Sequence, residues 1–391
     1  MSESVSKALA RLRPVAKESE KSPIREMLKR MEEGADIRSL AFGEANFDPP
    51  QELLELAAKA MQGNKNLYTS TNGIPLIRQA ISEFARNWWQ ADIDPDQNIL
   101  LTVGGMEAIY LASRVLLEKG DRVLLPDPGW GILKILMGRQ GAEVDAYPLV
   151  ERDRWIIEPE AVIERIDDRT KLIVVNTPSN PTGATLSAEG FSRLLEAADR
   201  KGIFVLSDEV YHNYIYDGQH ASGLAHNHLD NLVVVNSFSK TFAITGWRLG
   251  YAVSNPWIIR QMGILKESIS LCSFSIGQWA LGEYLPNSTT YLDGVREFCR
   301  QNMIQVVSRL QDIPGVKCTA PVGGFYVLPD FSQIEPSSQR LFERLLDGGV
   351  AVIPGDFFGR EGAGRARIGF AAPMEKLTAG IDRLEDVLRN Y

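Results

Sequence analysis

Six short apolar runs, separated by segments of helix length, constrain this chain more than any other feature. They are Ile99-Leu-Leu-Thr-Val103, Arg122-Val-Leu-Leu-Pro126, Leu172-Ile-Val-Val175, Ile203-Phe-Val-Leu-Ser207, Leu232-Val-Val-Val235 and Gly250-Tyr-Ala-Val253. Runs of this length without alternation belong to strands buried on both faces. Spacers long enough for a helix join such strands in parallel. The pattern predicts an α/β core with a mostly parallel sheet flanked by helices. Ahead of it, residues 1–35 are charged, with a helix expected from about Ile24 and Ser22-Pro23 as its start. Amphipathic helices are expected at Glu52 to Met61 and Ile74 to Trp89, separated by the polar turn Asn64 to Gly73. Beyond about residue 290 the texture changes. A long helix over Tyr291 to Leu310 precedes strand-like stretches at Gly315 to Thr319, Gly324 to Leu328 and Arg365 to Phe370, and a helix closes the chain. That portion reads as a second, smaller α+β domain.

At 391 residues the chain is long enough for two domains. Its net charge of −8 argues against nucleic acid or an anionic membrane surface as a partner. Three cysteines (Cys272, Cys299, Cys318) without a C-x-x-C spacing suggest neither a disulfide framework nor a cysteine zinc site. His220, His226 and His228 cluster in a turn-like stretch that reads as a solvated loop, so no metal is expected. No secretory segment opens the chain and no apolar run reaches spanning length, so a soluble cytoplasmic protein is expected.

The candidate chemistry falls at the C-terminal ends of the apolar runs, the edge at which open parallel sheets bind ligands. Lys240 lies just past one of them in Ser237-Phe-Ser-Lys-Thr-Phe-Ala-Ile-Thr-Gly-Trp-Arg248. A lysine at the end of a buried strand is partly desolvated, which lowers its pKa and makes its amine a nucleophile toward carbonyls. Ser237, Ser239 and Arg248 suit a phosphate beside that amine. An imine-forming amine next to a phosphate cradle is what pyridoxal 5'-phosphate (PLP) requires. Gly104-Gly105-Met106 joins a strand to a helix, where free N–H groups and the helix dipole also suit a phosphate. Trp130 follows another strand, where its face could stack on a pyridine ring or merely pack. Asn180, in Asn176-Thr-Pro-Ser-Asn-Pro-Thr-Gly183, either donates to a phenolic oxygen or shapes the turn. Asp208 ends an apolar run, where a carboxylate needs a partner: a protonated pyridine nitrogen, or the N–H groups of a helix start. Tyr211, three residues on, is in reach of the same ring.

In this order the motifs Asn180-Pro-Thr-Gly, Ser207-Asp-Glu-Val-Tyr211, Ser237-Phe-Ser-Lys240, Thr245-Gly-Trp-Arg248 and Arg365-Ala-Arg367-Ile are similar to those of the class I/II aminotransferases. These are fold-type I PLP enzymes, and the resemblance runs from about Leu40 to the end. It implies a large domain over 48–288 with a mostly parallel seven-stranded sheet, and a small domain from 1–47 plus 289–391. By the same resemblance Lys240 holds the cofactor and then shuttles the proton, and Asp208 keeps the pyridine nitrogen protonated. Asn180 and Tyr211 bond its O3', and Trp130 stacks on the ring. Backbone N–H groups of Gly105 and Met106, with Ser237, Ser239 and Arg248, hold the phosphate. Tyr68 matches a tyrosine lent across a homodimer interface. Arg367 grips the substrate α-carboxylate, with Asn180 and the backbone near Gly43 assisting; the planar fork of arginine suits a carboxylate.

The departures concern substrate. Gly43-Glu-Ala-Asn-Phe47 carries Ala and Asn where relatives commonly have Pro and Asp, and Met106 stands where some aspartate enzymes have a lysine for the distal carboxylate. Arg25, Arg360 and Arg365 are weaker candidates for contact with a polar side chain. The expectation is an apolar or aromatic amino donor, with 2-oxoglutarate as acceptor. Another reaction on the same scaffold, a C–S β-lyase, synthase or oxidase, shares the core motifs. A non-enzymatic PLP-binding regulator would need a basic DNA-binding domain that this acidic chain has no length for.

Overall fold

The computed structural model describes residues 23–389 apart from Phe42, Asn227 and His228. The expected helix start at Ser22, the first 22 residues of the N-terminal segment and the third clustered histidine, His228, lie outside the described residues.

All six apolar runs are strands of one seven-stranded sheet: β1 (Ile99–Thr102), β2 (Arg122–Asp127), β4 (Thr170–Asn176), β5 (Phe204–Asp208), β6 (Leu232–Ser237) and β7 (Gly250–Val253). The seventh strand, β3 (Glu143–Pro148), lies at the edge and carries two carboxylates in a half-exposed run, so it has no continuous apolar signature. The spatial order is β1-β7-β6-β5-β4-β2-β3. Only β7 runs against its neighbours, pairing antiparallel with both β1 and β6. The remaining pairs, β2 with β3 and β4, β4 with β5, and β5 with β6, are parallel. The carboxyl ends of β2, β4, β5 and β6 therefore open on one edge.

Alternation along these strands feeds two cores. Ile173, Val175, Val205 and Val234 face one layer with Phe191 and Leu194, while Leu172, Val174, Leu206, Val233 and Val235 face another with Leu111, Ile258 and Met262. Apolar side chains on both faces of these strands are thus claimed by a core, which is why the runs are apolar almost throughout.

A third core joins Met27, Leu40 and Ala41 to residues from Val295 to Leu388, with Tyr211 and Tyr214 reaching into it. Its elements are the long helix Thr289–Gln311, the closing helix Met374–Arg389 and a three-stranded antiparallel sheet. In that sheet β10 (Ala366–Gly369) lies between β8 (Tyr326–Val327) and β9 (Ile353–Pro354). The stretch Gly315 to Thr319 is not a strand; only Lys317 bridges to Asp330. Arg38–Ser39 pairs in parallel with Val350–Ala351, stitching the N-terminal segment to this half.

One buried ion pair braces the first turn of the helix Gly104–Leu116. Lys266 is fully buried, and its Nζ donates to Glu107 Oε2 (2.8 Å) and Ser270 Oγ (2.7 Å). Glu107 Oε2 also accepts the Val103 N–H (2.6 Å), and its Oε1 accepts the Ser270 hydroxyl (2.6 Å). Removing the lysine strands a buried carboxylate. Lys266→Ala is expected to cost about 3–5 kcal/mol, measurable as a lowered urea midpoint; a variant as stable as the parent would show the pair to be dispensable.

Candidate active site

β6 ends at Ser237, whose hydroxyl accepts the Ser239 N–H (3.2 Å) and so caps the short helix Phe238–Thr241. Lys240 is the third residue of that helix. Its Nζ donates to the Gly43 carbonyl at 2.7 Å. Burial lowers its pKa to about 8; Glu44 and Asp208 oppose the shift, while Arg367 and Arg248 add to it. The amine is still mostly cationic near physiological pH, but its neutral, nucleophilic fraction is far larger than that of an ordinary lysine.

Asp208, at the end of β5, is 3% exposed. Burial pushes its carboxyl up to about 7, with the charge of Glu209 adding to the effect. Among the described residues its carboxylate accepts one long hydrogen bond, from the Val210 N–H at 3.4 Å. Glu209, the next residue, shows the opposite shift. Against the upward push of its own burial, His220 and the Ser222 hydroxyl hold it below the usual carboxylate range. It accepts from His220 Nε2 (2.9 Å), Ser222 Oγ (2.6 Å), Ser207 Oγ (2.8 Å) and the Gly223 N–H (2.8 Å). Of two adjacent buried carboxylates, one is fully solvated by protein and the other is left to meet a cation.

Asn176, ending β4, fixes the next element. Its Nδ2 donates to the Asp208 carbonyl (3.1 Å) and its Oδ1 accepts the Asn180 N–H (2.7 Å). Asn180 Oδ1 in turn accepts from Arg367 Nη1 at 3.0 Å. Arg367 rises from β10, is 5% exposed, and donates from Nη2 to the Ala41 carbonyl (3.2 Å). Its guanidinium lies 4.3 Å from the centre of the Tyr326 ring and 5.3 Å from that of Phe358. Its Nε is buried without a hydrogen-bond partner among the described residues. The Tyr211 hydroxyl meets the Tyr326 hydroxyl at 3.1 Å.

The phosphate-type cradle is built by close approach. Gly104 has φ +72°, and a Cβ there would fall 2.5 Å from Arg248 Nη2. Only glycine lets the guanidinium lie over this helix N-terminus. Arg248 itself sits at φ +54° and donates from Nη1 to the Thr245 carbonyl (2.9 Å), with Ser239 Oγ at 3.5 Å. The Ser237 hydroxyl donates to the Leu249 carbonyl (3.2 Å). Gly105 is buried and Met106 half-buried in the same turn. Positive dipole, open N–H groups and an arginine together form an anion site.

The other expected residues have surroundings of their own. Trp130 is half-buried before the helix Gly131–Arg139, packed against the core under β2. Tyr68 is 83% exposed. Arg365 is held by Glu151 (2.6 Å) and lies over Trp155, so it serves the scaffold rather than a substrate. Arg25 and Arg360 are exposed. His226 stacks on Phe191 at 5.3 Å and shares a hydrogen bond with Ser192, while His220 belongs to Glu209. Among the described residues no group of three or more His, Cys, Asp or Glu could hold a metal, and no helix is long and apolar enough to cross a membrane.

Three residues escaped the sequence reading. Asn176 stood only as the first residue of the turn segment that carries Asn180, Tyr326 as part of a strand-like stretch, and Glu44, which accepts the Thr245 hydroxyl (2.7 Å), was given no role. The signal available for Tyr326 was the Gly323-Gly324 pair followed by two aromatics.

The residues fit PLP. The lowered amine, the under-solvated carboxylate, the anion cradle and the arginine with an unpartnered Nε each answer one of its groups or one of an amino acid's. A family model described as aminotransferase class I and II matches residues 35–384. The chain is similar to the aspartate aminotransferase of Pyrococcus horikoshii, 36% identical and covering 94% of this chain and 95% of that protein. It is also similar to aromatic-amino-acid aminotransferase 2 of Thermococcus litoralis, 30% identical over 90% of this chain and 92% of that one. Among solved structures, Thermus thermophilus aspartate aminotransferase with maleate superposes with a TM-score of 0.90 at 32% identity, covering 96% and 99% of the two chains.

The Asp208 shift has a stability consequence in the cofactor-free protein. A folded-state pKa raised above the unfolded value contributes stability below about pH 4 that is lost as pH rises toward 7. Asp208→Asn, which carries no charge, is expected to raise the thermal midpoint more at pH 8 than at pH 4, by about 2 °C or more. An equal effect at both pH values would show that the carboxyl is not destabilised by burial.

Proposed function

The chain belongs to the class I and II aminotransferase family, and we propose that it moves the amino group of an apolar or aromatic L-amino acid to a 2-oxo acid such as 2-oxoglutarate, using PLP. Its fold is that of the fold-type I enzymes, with residues 48–288 taken as the cofactor-holding domain and 1–47 plus 289–391 as the smaller one. The observation that carries this reading is a single loop that touches both reacting ends. The Ala41 carbonyl holds Arg367, and two residues later the Gly43 carbonyl holds the Lys240 amine.

When bound, PLP supplies an electron sink that makes the substrate Cα proton acidic. Arg367, kept in place by Asn180, Ala41 and the Tyr326 ring, binds the α-carboxylate and so aims the Cα–H at Lys240. The Lys240 amine, whose pKa burial lowers, would accept that proton at Nζ and hold it within the site. Asp208 offers its carboxylate to the pyridine nitrogen, where a cation relieves the cost of its burial. Asn180 and Tyr211 serve O3', and Trp130 packs against the ring. Gly105 and Met106 N–H groups, Ser237, Ser239 and Arg248 take the phosphate. Gly43 backbone assists the substrate carboxylate.

For the side chain, Met106 offers an apolar contact beside the cradle, and Arg365 is already neutralised by Glu151. A homodimer in the cytoplasm is the assembly we favour, with Tyr68 lent to the neighbouring phosphate site. Leu67 (72% exposed), Tyr68 and Phe274 are all exposed apolar or aromatic residues, and the Ser275 hydroxyl bonds the Lys65 carbonyl, so the two segments that carry them adjoin.

In a half-reaction screen, phenylalanine or leucine should discharge the visible band of the PLP-loaded protein, and 2-oxoglutarate should restore it from the pyridoxamine form. Discharge by aspartate alone would overturn the donor assignment. Release of ammonia and pyruvate without the half-reaction would overturn the proposed reaction of this protein. Lys240→Ala is expected to lower turnover by at least about 10⁴-fold; full activity in that variant would remove the lysine from the mechanism. Sedimentation of a fully active monomer would exclude the shared-site dimer.

A further inference from the structure

We infer that Tyr326 is a positioning residue that couples the two halves of the site, its hydroxyl orienting that of Tyr211 while its ring seats the Arg367 guanidinium. The inference rests on the aminotransferase reading above and assigns a role to a residue outside the motifs that revealed it.

Tyr326 is 1% exposed, and three contacts leave it little freedom. Its hydroxyl is 3.1 Å from that of Tyr211, its ring meets the Tyr211 ring edge-on at 5.6 Å, and the Arg367 guanidinium lies 4.3 Å from its centre. The backbone is as constrained as the ring. Tyr326 pairs with Gly369, two residues beyond Arg367 on β10. Ahead of it, Gly324 has φ +72° and its N–H bonds the Tyr214 carbonyl at 2.8 Å. A Cβ on Gly323 would lie 2.5 Å from that same carbonyl oxygen. The Gly323-Gly324 turn is thus pressed onto the turn that carries Tyr211, and the next two residues are delivered into the site from the small-domain side.

Packing alone would be served by phenylalanine, as at Phe325 beside it. The hydroxyl matters because a buried phenol needs a partner. With a guanidinium over its ring, the Tyr326 hydroxyl is the stronger donor of the two. It donates to the Tyr211 oxygen, leaving the Tyr211 proton to point at the phenolic oxygen of a bound ring. One residue thereby fixes the direction of that proton and the position of the carboxylate clamp. The charged groups facing the pair are Arg367 and Glu44 at Tyr326, and Arg367 and Asp208 at Tyr211.

The test compares Tyr326→Phe and Tyr326→Leu in the PLP-loaded enzyme, reading the pH midpoint of the visible absorbance without substrate, and kcat and KM for the amino donor. In Tyr326→Phe the ring and the clamp remain while the orienting hydrogen bond is lost. A weaker donor leaves the phenolic oxygen holding its shared proton more tightly, so the midpoint rises. We expect that rise, a kcat about fivefold lower, as for one ordinary hydrogen bond, and KM within about twofold. Tyr326→Leu also removes the cation–π seat and is expected to raise KM about fivefold further. In a Tyr211→Phe background, Tyr326→Phe should shift neither midpoint nor kcat again. A Tyr326→Phe enzyme with the parental midpoint and kcat overturns the inference, as does a full additive effect in the double variant. A wild-type protein that develops no pH-dependent visible band with PLP overturns the underlying reading instead. Should Tyr326→Leu not fold, as judged by circular dichroism, the phenylalanine series decides alone because it keeps the side-chain volume.

Discussion

The Arg367 guanidinium is the interaction on which the site depends. It starts on the small antiparallel sheet and donates both to the Asn180 amide oxygen, in the loop after β4, and to the Ala41 carbonyl of the N-terminal segment. Tyr326 and Phe358 cover its faces. Three distant stretches of chain are thus held in register by one planar cation. A buried arginine needs several acceptors to offset its desolvation, so the pieces of the site must assemble together. Because two of its donors are already spoken for and Nε is not, the same group that organises the site retains capacity for a carboxylate.

Around this cation the protein shifts two neighbouring groups toward their neutral forms. Lys240 falls to about 8 and Asp208 rises to about 7, both chiefly through burial. Glu209, between Asp208 and the His220–Ser222 network, is instead supplied with four hydrogen bonds and stays anionic. Contrast between adjacent carboxylates marks acid–base roles better than any single shift does. The cost of the two perturbed groups is borne by the rigid sheet edge, where strand ends cannot move away to resolvate them.

The parallel sheet was legible because burial on both faces forces uninterrupted apolar runs, and six of seven strands show them. β3 was not, since an edge strand with one solvated side needs no such run; Glu143 and Asp145 hide it. In the C-terminal part of the chain the strands are two to four residues long, too short for periodicity to register, so the Gly315–Thr319 stretch read as a strand while the chain there makes a single bridge. Among site residues, Lys240, Asp208, Asn180 and Arg367 converge at one edge, where hydrogen bonds join Asn180 to Arg367 and, through Asn176, to the backbone of Asp208. Arg365, two residues from Arg367, points to Glu151 and away from that role. Arg365 lies just before β10 (Ala366–Gly369) and Arg367 within it, so what separates the two is the partners they meet, Glu151 and Asn180, and these are visible only once the strand is placed.

The sequence by itself determined the doubly covered sheet, the residue types at its carboxyl edge and the family to which they belong, because each is written in local order: apolar runs, turn glycines and strand-end polar residues. Tertiary structure alone decided which polar groups are desolvated and which are satisfied. It selected Asp208 over Glu209, gave Tyr326 its place between Tyr211 and Arg367, and bound Lys240 and Arg367 to one loop. Those outcomes depend on distances between segments up to 326 residues apart, and a pKa or a hydrogen bond exists only where such segments meet.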